Sequence, residues 1–237
     1  MDKAALDKKI YNMVGMQISL NNNTNGKCWV NNITKDGKTI NWPLCIVLEV
    51  SEAIGSIPWK HWKDINNQVV DFDNLKIELT DIYHFLISLV ANSQHLKSLT
   101  EEQLHVRTAM MLEYNTEQLF FALGRSIETG FTKEEIISKL LVLKLSVLKY
   151  HLQYNTYSNQ YILDIVTNFY ICVLTIPDFN MDDLYKLYIS KNVLNTFRQD
   201  NGYKENTYIK IWNGLEDNVY ITNYLVTNPD ATPEEIY

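Results

Sequence analysis

The sequence predicts an all-α fold. Three observations predict it: apolar residues recur at helical spacing along most of the 237 residues, start and stop signals bracket those runs, and strand-like alternation is scarce. With 46% hydrophobic and 12% aromatic residues the chain can bury a large core. No repeat or low-complexity linker divides it, so residues 1–237 read as a single helical domain.

Leu6, Ile10, Met13, Val14, Gln17 and Leu20 share one helical face and predict a first helix over residues 3–21. Asn21 to Asn41 carries Asn-Gly at 25–26 and Asp-Gly at 36–37, which is turn chemistry and predicts a loop. A second helix starts near Trp42, with Pro43 suited to its first turn, and Gly55 stops it after Ile54. The aromatic and basic run from Ile57 to Lys63 connects it to a third helix over Asp71–Asn92. Ser98-Leu-Thr-Glu-Glu starts a fourth helix towards Thr129, with Gly130 as its stop. Thr132-Lys-Glu-Glu caps a fifth, to Tyr150. Ser158–Thr175 and Met181–Gln199 follow, separated by Pro177. An Asn201–Lys204 turn leads to Tyr208–Asn218, a short apolar segment, and a polar tail from Asn228.

Charge and cysteine usage narrow the function. A net charge of −7 argues against a general nucleic-acid partner, which needs a basic face. The most apolar run, Tyr161–Ile176, is too short to span a membrane and holds Asp164 and Asn168, so no membrane role is expected. Met1–Ile10 is charged, unlike a signal peptide. Cys28, Cys45 and Cys172 show no metal-ligand spacing and read as reduced thiols, so a cytoplasmic protein is expected.

The chemistry concentrates in Ile46–Ser88. Glu49-Val-Ser-Glu52 and Glu78-Leu-Thr-Asp81 each place two carboxylates a turn apart on one helical face. A lone pair of this kind is ordinarily a solvated face. These pairs stand instead among Ile46, Val47, Leu48 and Val50, and among Ile77, Leu79, Ile82 and Phe85, where acidic groups need a partner. Four converging carboxylates form an oxygen-only site suited to Mg²⁺ or Mn²⁺. A di-iron reading normally requires Glu-x-x-His, which neither pair matches, although His84 lies three residues after Asp81. His84 reads as a packing residue.

Around the acidic pairs stand candidate substrate groups. Trp59, Lys60, Trp62 and Lys63 are either a packed corner or a stacking and phosphate-binding connector. Lys191, Asn195 and Arg198 share one helical face, and Tyr203, Lys204, Tyr208 and Lys210 follow, as a triphosphate clamp would. Gln17 and Asn21, one turn apart, could read a base edge through their amides. No activated Ser or Cys and no Walker-type loop is present, which leaves metal-activated water attacking a phosphoryl group.

Glu49-x-x-Glu52, 25 intervening residues and Glu78-x-x-Asp81 resemble the signature of the all-α nucleoside triphosphate pyrophosphatases. Within that superfamily the chain is most similar to the dimeric dUTPases of trypanosomatids and Campylobacter-like bacteria. Gln17-Ile-Ser-Leu-Asn21, Trp59-Lys-His-Trp-Lys63, Asn195-x-x-Arg198 with Asn201-Gly-Tyr-Lys204, and Tyr208-x-Lys210-x-Trp212-x-Gly214-x-Glu216-Asp217-Asn218 extend the resemblance across residues 17–218. It implies Mg²⁺-dependent hydrolysis of dUTP to dUMP and pyrophosphate, and of dUDP to dUMP and phosphate. Glu49, Glu52, Glu78 and Asp81 would ligate two or more Mg²⁺ ions, with Mn²⁺ as a substitute, and Glu52 would orient or deprotonate the attacking water. Gln17 and Asn21 would face uracil, with Trp59 or Trp62 near the nucleoside. Lys63, Lys191, Arg198, Lys204 and Lys210 would hold phosphates, assisted by Asn195 and Tyr203. A homodimer and closure of helices around the nucleotide are implied as well. The metal-binding helices would occupy about 42–92 and the phosphate clamp about 181–218. The alternatives are a related pyrophosphatase of other base specificity and a non-enzymatic helical binding protein with a structural cation site.

Overall fold

A computed structural model of the chain describes residues 3–63, 68–94, 99–123, 130–153, 159–228 and 231–237. In order, the elements are α1 (Lys3–Asn25), α2 (Trp42–Gly55), α3 (Phe72–Gln94), α4 (Glu101–Leu123), α5 (Lys133–Leu152), α6 (Asn159–Thr175), α7 (Met181–Asp200), β1 (Ile211–Trp212), β2 (Leu215–Glu216), α8 (Asp217–Thr227) and α9 (Pro233–Ile236). The all-α prediction holds.

Helix starts follow the capping signals. Asn41 caps α2 by accepting from Leu44 N, and Pro43 sits inside the first turn. Thr100 and Gln103 cap α4 reciprocally, and Thr132–Glu135 and Asn180–Asp183 form capping boxes at α5 and α7. Ser98, Ser158 and the expected end of α4 at Thr129 lie outside the described residues.

Five expectations are corrected. The first helix runs on through Asn25, four residues beyond its predicted end, because Asn22 accepts from the indole of buried Trp29 at 2.9 Å and stays in the folded helix. Gly26, with φ 76°, then turns the chain where an added Cβ would stand 2.8 Å from Lys35 Cβ. Between α1 and α2 the expected loop contains a short 3₁₀ turn, Lys27–Asn31, and a single bridge, Ile33 to Thr39, closed over Asp36–Gly37. Finally, Tyr208–Asn218 contains an antiparallel hairpin, Ile211 to Glu216 and Trp212 to Leu215, across Asn213 (φ 50°) and Gly214 (φ 84°). The apolar segment after it is helix α8, and Thr232–Glu235 caps α9 in the expected tail.

Helix α3 is the central element, packed against α1, α2, α4, α6 and α7. Leu75, Leu79, Ile82, Tyr83, Leu86 and Val90 on it are fully buried, so it reads apolar nearly all round. Tyr83 stacks on Phe169 and shares a 2.9 Å hydroxyl contact with Tyr170, tying α3 to α6. Polar side chains on so buried a helix must find partners, and Glu78, His84 and Ser88 do so towards the functional site. Among the described residues, no helix is long and apolar enough to cross a membrane.

Candidate active site

The end of α2 meets the start of α3. Asp71 N donates to Ser56 O at 3.0 Å, and Asn74 Nδ2 donates to Ser56 Oγ at 2.8 Å. Ile46, Val50 and Ala53 bury one face of α2, which turns Glu49 and Glu52 onto the neighbouring face. On α3, Leu75, Leu79 and Ile82 do the same for Glu78 and Asp81. Ligand oxygens of Glu49, Glu52 and Glu78 consequently lie within 4.8 Å of one another. Burial, reinforced by the charges of Asp81, Glu52 and Glu78, pushes the Glu49 carboxyl up to about 8. Burial and the Asp81 and Glu52 charges raise Glu78 also, against an opposing 3.2 Å hydrogen bond from Asn74. This is a site whose like charges are resolved only by protons or cations.

Asp81 stands beside the trio and is paired differently. Lys191 Nζ of α7 lies 2.9 Å from its Oδ2 and donates to Asn218 Oδ1 at 3.0 Å. Lys191 thereby joins the acidic cluster to the clamp region. There, Arg198 grips Asp217 with a two-pronged contact, Nε at 2.8 Å and Nη2 at 2.7 Å. Tyr208 donates its hydroxyl to the same carboxylate at 2.9 Å, and the Asn218 N–H donates to it at 2.8 Å. Burial works against the charged form of Asp217, yet Arg198, Tyr208 and Asn218 outweigh it and hold the carboxyl below its ordinary range. Asn195 accepts from Arg198 Nη1 at 3.4 Å. The Arg198 guanidinium and the Lys210 ammonium both stand over the Tyr203 ring, at 5.6 and 5.5 Å from its centroid.

A third group lies farther along α3. Gln17 and Asn21 of α1 are buried and hydrogen-bonded to Ser88 of α3, and Gln17 also meets His84 of α3 and Tyr188 of α7. His84 stacks on Tyr188 with centroids 4.0 Å apart, and burial together with the nearby Lys191 charge drops its ring to about 3. The imidazole is therefore neutral at physiological pH. It packs as the sequence suggested, but only its Nδ1 is satisfied: His84 Nε2 and Asn192 Nδ2 are buried without a hydrogen-bond partner among the described residues.

The structure thus brings Glu49, Glu52 and Glu78 together with Asp81 beside them, links Asp81 through Lys191 and Asn218 to a second cluster of Asn195, Arg198, Tyr203 and Lys210, and buries Gln17 and Asn21 of α1 in a polar cluster against Ser88 of α3. Other candidates stand apart. Trp59 and Trp62 are exposed and meet edge to face at 5.5 Å, with Lys60 over Trp59. Among the described residues, no hydrogen bond or ring contact links them or Lys63 to the acidic cluster. Lys204 pairs with Asp36 of the α1–α2 loop instead of joining Arg198. The residues that sequence reasoning leaves without a role are Asn74, Ser88, Tyr188, Asp217 and Asn218. Ser88 lies one turn past His84 and two past Asp81 on the same helix, a signal that could have marked it. Asp217 carried no such signal, because its partner is distant in sequence.

No curated protein matches the chain significantly. A sequence model described as dUTPase matches residues 9–203, spanning both carboxylate pairs, the buried amides Gln17 and Asn21, and α7 with its turn up to Tyr203. That match, over most of a mostly helical chain, places it in the dUTPase family as a dUTP diphosphatase, a nucleotide hydrolase.

Proposed function

We propose that this dUTPase hydrolyses dUTP to dUMP and pyrophosphate, and dUDP to dUMP and phosphate, with two or more Mg²⁺ ions held by Glu49, Glu52, Glu78 and Asp81. The observation that carries the reading is the meeting of Glu49, Glu52 and Glu78 oxygens within 4.8 Å. The donor set fits the ion, since it is all carboxylate oxygen and the mutual repulsion that raises Glu49 and Glu78 is relieved by a hard cation. Mn²⁺, which accepts the same ligands, would substitute. Bound there, Mg²⁺ supplies an activated water and neutralises phosphate charge.

The chain's own groups divide the remaining work. Glu52, the exposed member of the trio, orients the attacking water and takes its proton. Lys191 and Arg198 hold phosphate oxygens, with Lys63, Lys204 and Lys210 contributing charge and Asn195 and Tyr203 assisting. Gln17 and Asn21 face the uracil ring, with Trp59 or Trp62 near the nucleoside. Residues 1–237 act as one domain, and closure brings the outlying connector and Lys204 to the substrate. Equal scattering profiles with and without a non-hydrolysable dUTP analogue would contradict that closure.

A homodimer is part of the proposal. Leu44 and Leu48 on α2 and Leu141 and Leu145 on α5 are exposed, on two helices that pack together, and a second copy would cover them. Leu48→Glu is expected to shift the sedimentation coefficient from dimer to monomer, and an unshifted value counts against that face. A cytoplasmic setting is consistent with three free cysteines.

The deciding experiment is pyrophosphate and phosphate release from the four dNTPs, dUTP and dUDP, with Mg²⁺ and with EDTA. Metal-dependent cleavage of dUTP and dUDP, with dTTP and dCTP spared, is expected. Equal turnover of dCTP would replace the uracil assignment with a broader pyrophosphatase, and turnover in EDTA would remove the metal from the mechanism.

A further inference from the structure

Ser88 is fully buried on α3 and donates its hydroxyl to the His84 carbonyl one turn earlier, at 3.0 Å. With its proton committed, Ser88 Oγ can only accept. It accepts from Gln17 Nε2 at 3.1 Å and from Asn21 Nδ2 at 2.9 Å. At the other end of Gln17, Oε1 lies 2.7 Å from His84 Nδ1 and 2.8 Å from the Tyr188 hydroxyl, which suits an acceptor between two donors. Gln17 Nε2 also points to Asn21 Oδ1 at 3.4 Å. Turning either amide over would set its oxygen against the lone pairs of Ser88. Ser88 therefore shares the orientation of Gln17 with His84 and Tyr188, and with Gln17 it fixes which end of the Asn21 amide is oxygen and which is nitrogen.

The direction of an amide is what distinguishes pyrimidines. Uracil offers an N3–H donor between two carbonyl acceptors, whereas cytosine offers a ring-nitrogen acceptor beside an amino donor. An amide that reads one edge reads the other when turned over, and an amide free to turn selects neither.

We propose that Ser88 is a positioning residue for base selectivity: it holds Asn21, whose amide keeps one Nδ2 proton and one Oδ1 lone pair uncommitted among the described residues, in the orientation that complements a uracil edge and opposes a cytosine edge. This rests on the uracil reading of Gln17 and Asn21 given above. Ser88 acts only through the Asn21 amide, so its removal alters the choice between bases rather than the chemical step.

The test is Ser88→Ala, which removes the hydroxyl and places a strong helix former in α3. The readout is the ratio of kcat/KM for dUTP to that for dCTP, taken with Mg²⁺ on one preparation so that any unfolded fraction cancels. The ratio is expected to fall about tenfold, the scale of one lost hydrogen-bond preference. A ratio within about twofold of the unsubstituted protein's would overturn the proposal. Should the variant turn over neither nucleotide, calorimetric Kd values for dUMP and dCMP give the corresponding ratio, and the same two thresholds apply to it. If the unsubstituted protein itself takes dCTP as readily as dUTP, the uracil reading fails, and the Ser88 proposal with it.

Discussion

The acidic cluster on α2 and α3 and the cationic cluster on α7 and α8 face each other across Lys191, yet their charges are handled in opposite ways. Glu49, Glu52 and Glu78 crowd together, with Asn74 donating to Glu78, and burial drives Glu49 up to about 8. Arg198 is anchored: Asp217 takes two of its nitrogens, and that carboxylate also receives Tyr208 and the Asn218 N–H. The first arrangement withholds compensation and so creates demand for an external cation. The second supplies compensation from within and fixes the direction of a guanidinium, so less ordering would remain for the proposed phosphate contact to impose. One cluster is organised for what it will bind, the other for where it will point.

The largest test of that contrast is a pair of substitutions with opposite signatures. Glu52→Gln should lower dUTP turnover on the order of 10³-fold if Glu52 is the charged ligand and proton acceptor proposed above. Its thermal unfolding in EDTA should be unchanged or shifted upward, because one repelling charge is gone. Parallel loss of turnover and of melting temperature would make the cluster structural.

Asp217→Ala should do the reverse. It strands a buried guanidinium and is expected to cost about 3 kcal/mol in urea unfolding, the scale for breaking a buried pair. KM for dUTP should also rise, since Arg198 loses its fixed direction. A stability change no larger than that of a surface substitution would show that Asp217 is not the anchor the geometry describes.

The two clusters also predict opposite slopes of stability with pH. Glu49 binds its proton up to about pH 8 in the folded chain but only to its ordinary 4.5 when unfolded. Between those values the folded state holds more protons, so metal-free protein loses stability as pH rises from about 4.5 through about 8. Asp217 is held below its ordinary 3.8, so its contribution is complete above that value and is lost only as pH falls beneath it. Melting temperature in EDTA should therefore decline from about pH 5 to pH 8, and Mg²⁺ should remove the decline by replacing the protons. A flat profile without metal would mean that the carboxylates relax apart.

What could be read from the sequence divides along the same line. The acidic pairs were legible because both members of each pair lie on one helix, where spacing alone fixes the face. Gln17 and Asn21 were legible as a pair for the same reason, but Ser88, His84 and Tyr188, which orient them, come from two other helices. Asp217 lies inside the Tyr208–Asn218 motif and still gave no sign of its role, because its meeting with Arg198 depends on the hairpin at Asn213–Gly214. Helix α8 was missed outright. Its sequence, Asp-Asn-Val-Tyr-Ile-Thr-Asn-Tyr-Leu-Val-Thr, is dominated by poor helix formers, and it folds against α7 with Ile221 buried. Tertiary packing overrode propensity there.

The smallest predicted effect isolates the role of burial within the comparison. Lys204 and Asp36 form an ion pair chemically like that of Arg198 and Asp217, but their side chains are 41% and 47% exposed, against 10% and 1%. Water already solvates both partners, and holding two mobile side chains in one geometry offsets what attraction remains. Asp36→Asn should accordingly leave the melting temperature within about 1 °C. It also frees the Lys204 ammonium, so KM for dUTP should fall slightly if closure brings Lys204 to the phosphates. A melting shift comparable to that of Asp217→Ala would mean that the α1–α2 loop is pinned by this pair, and that burial is not what separates the two clusters.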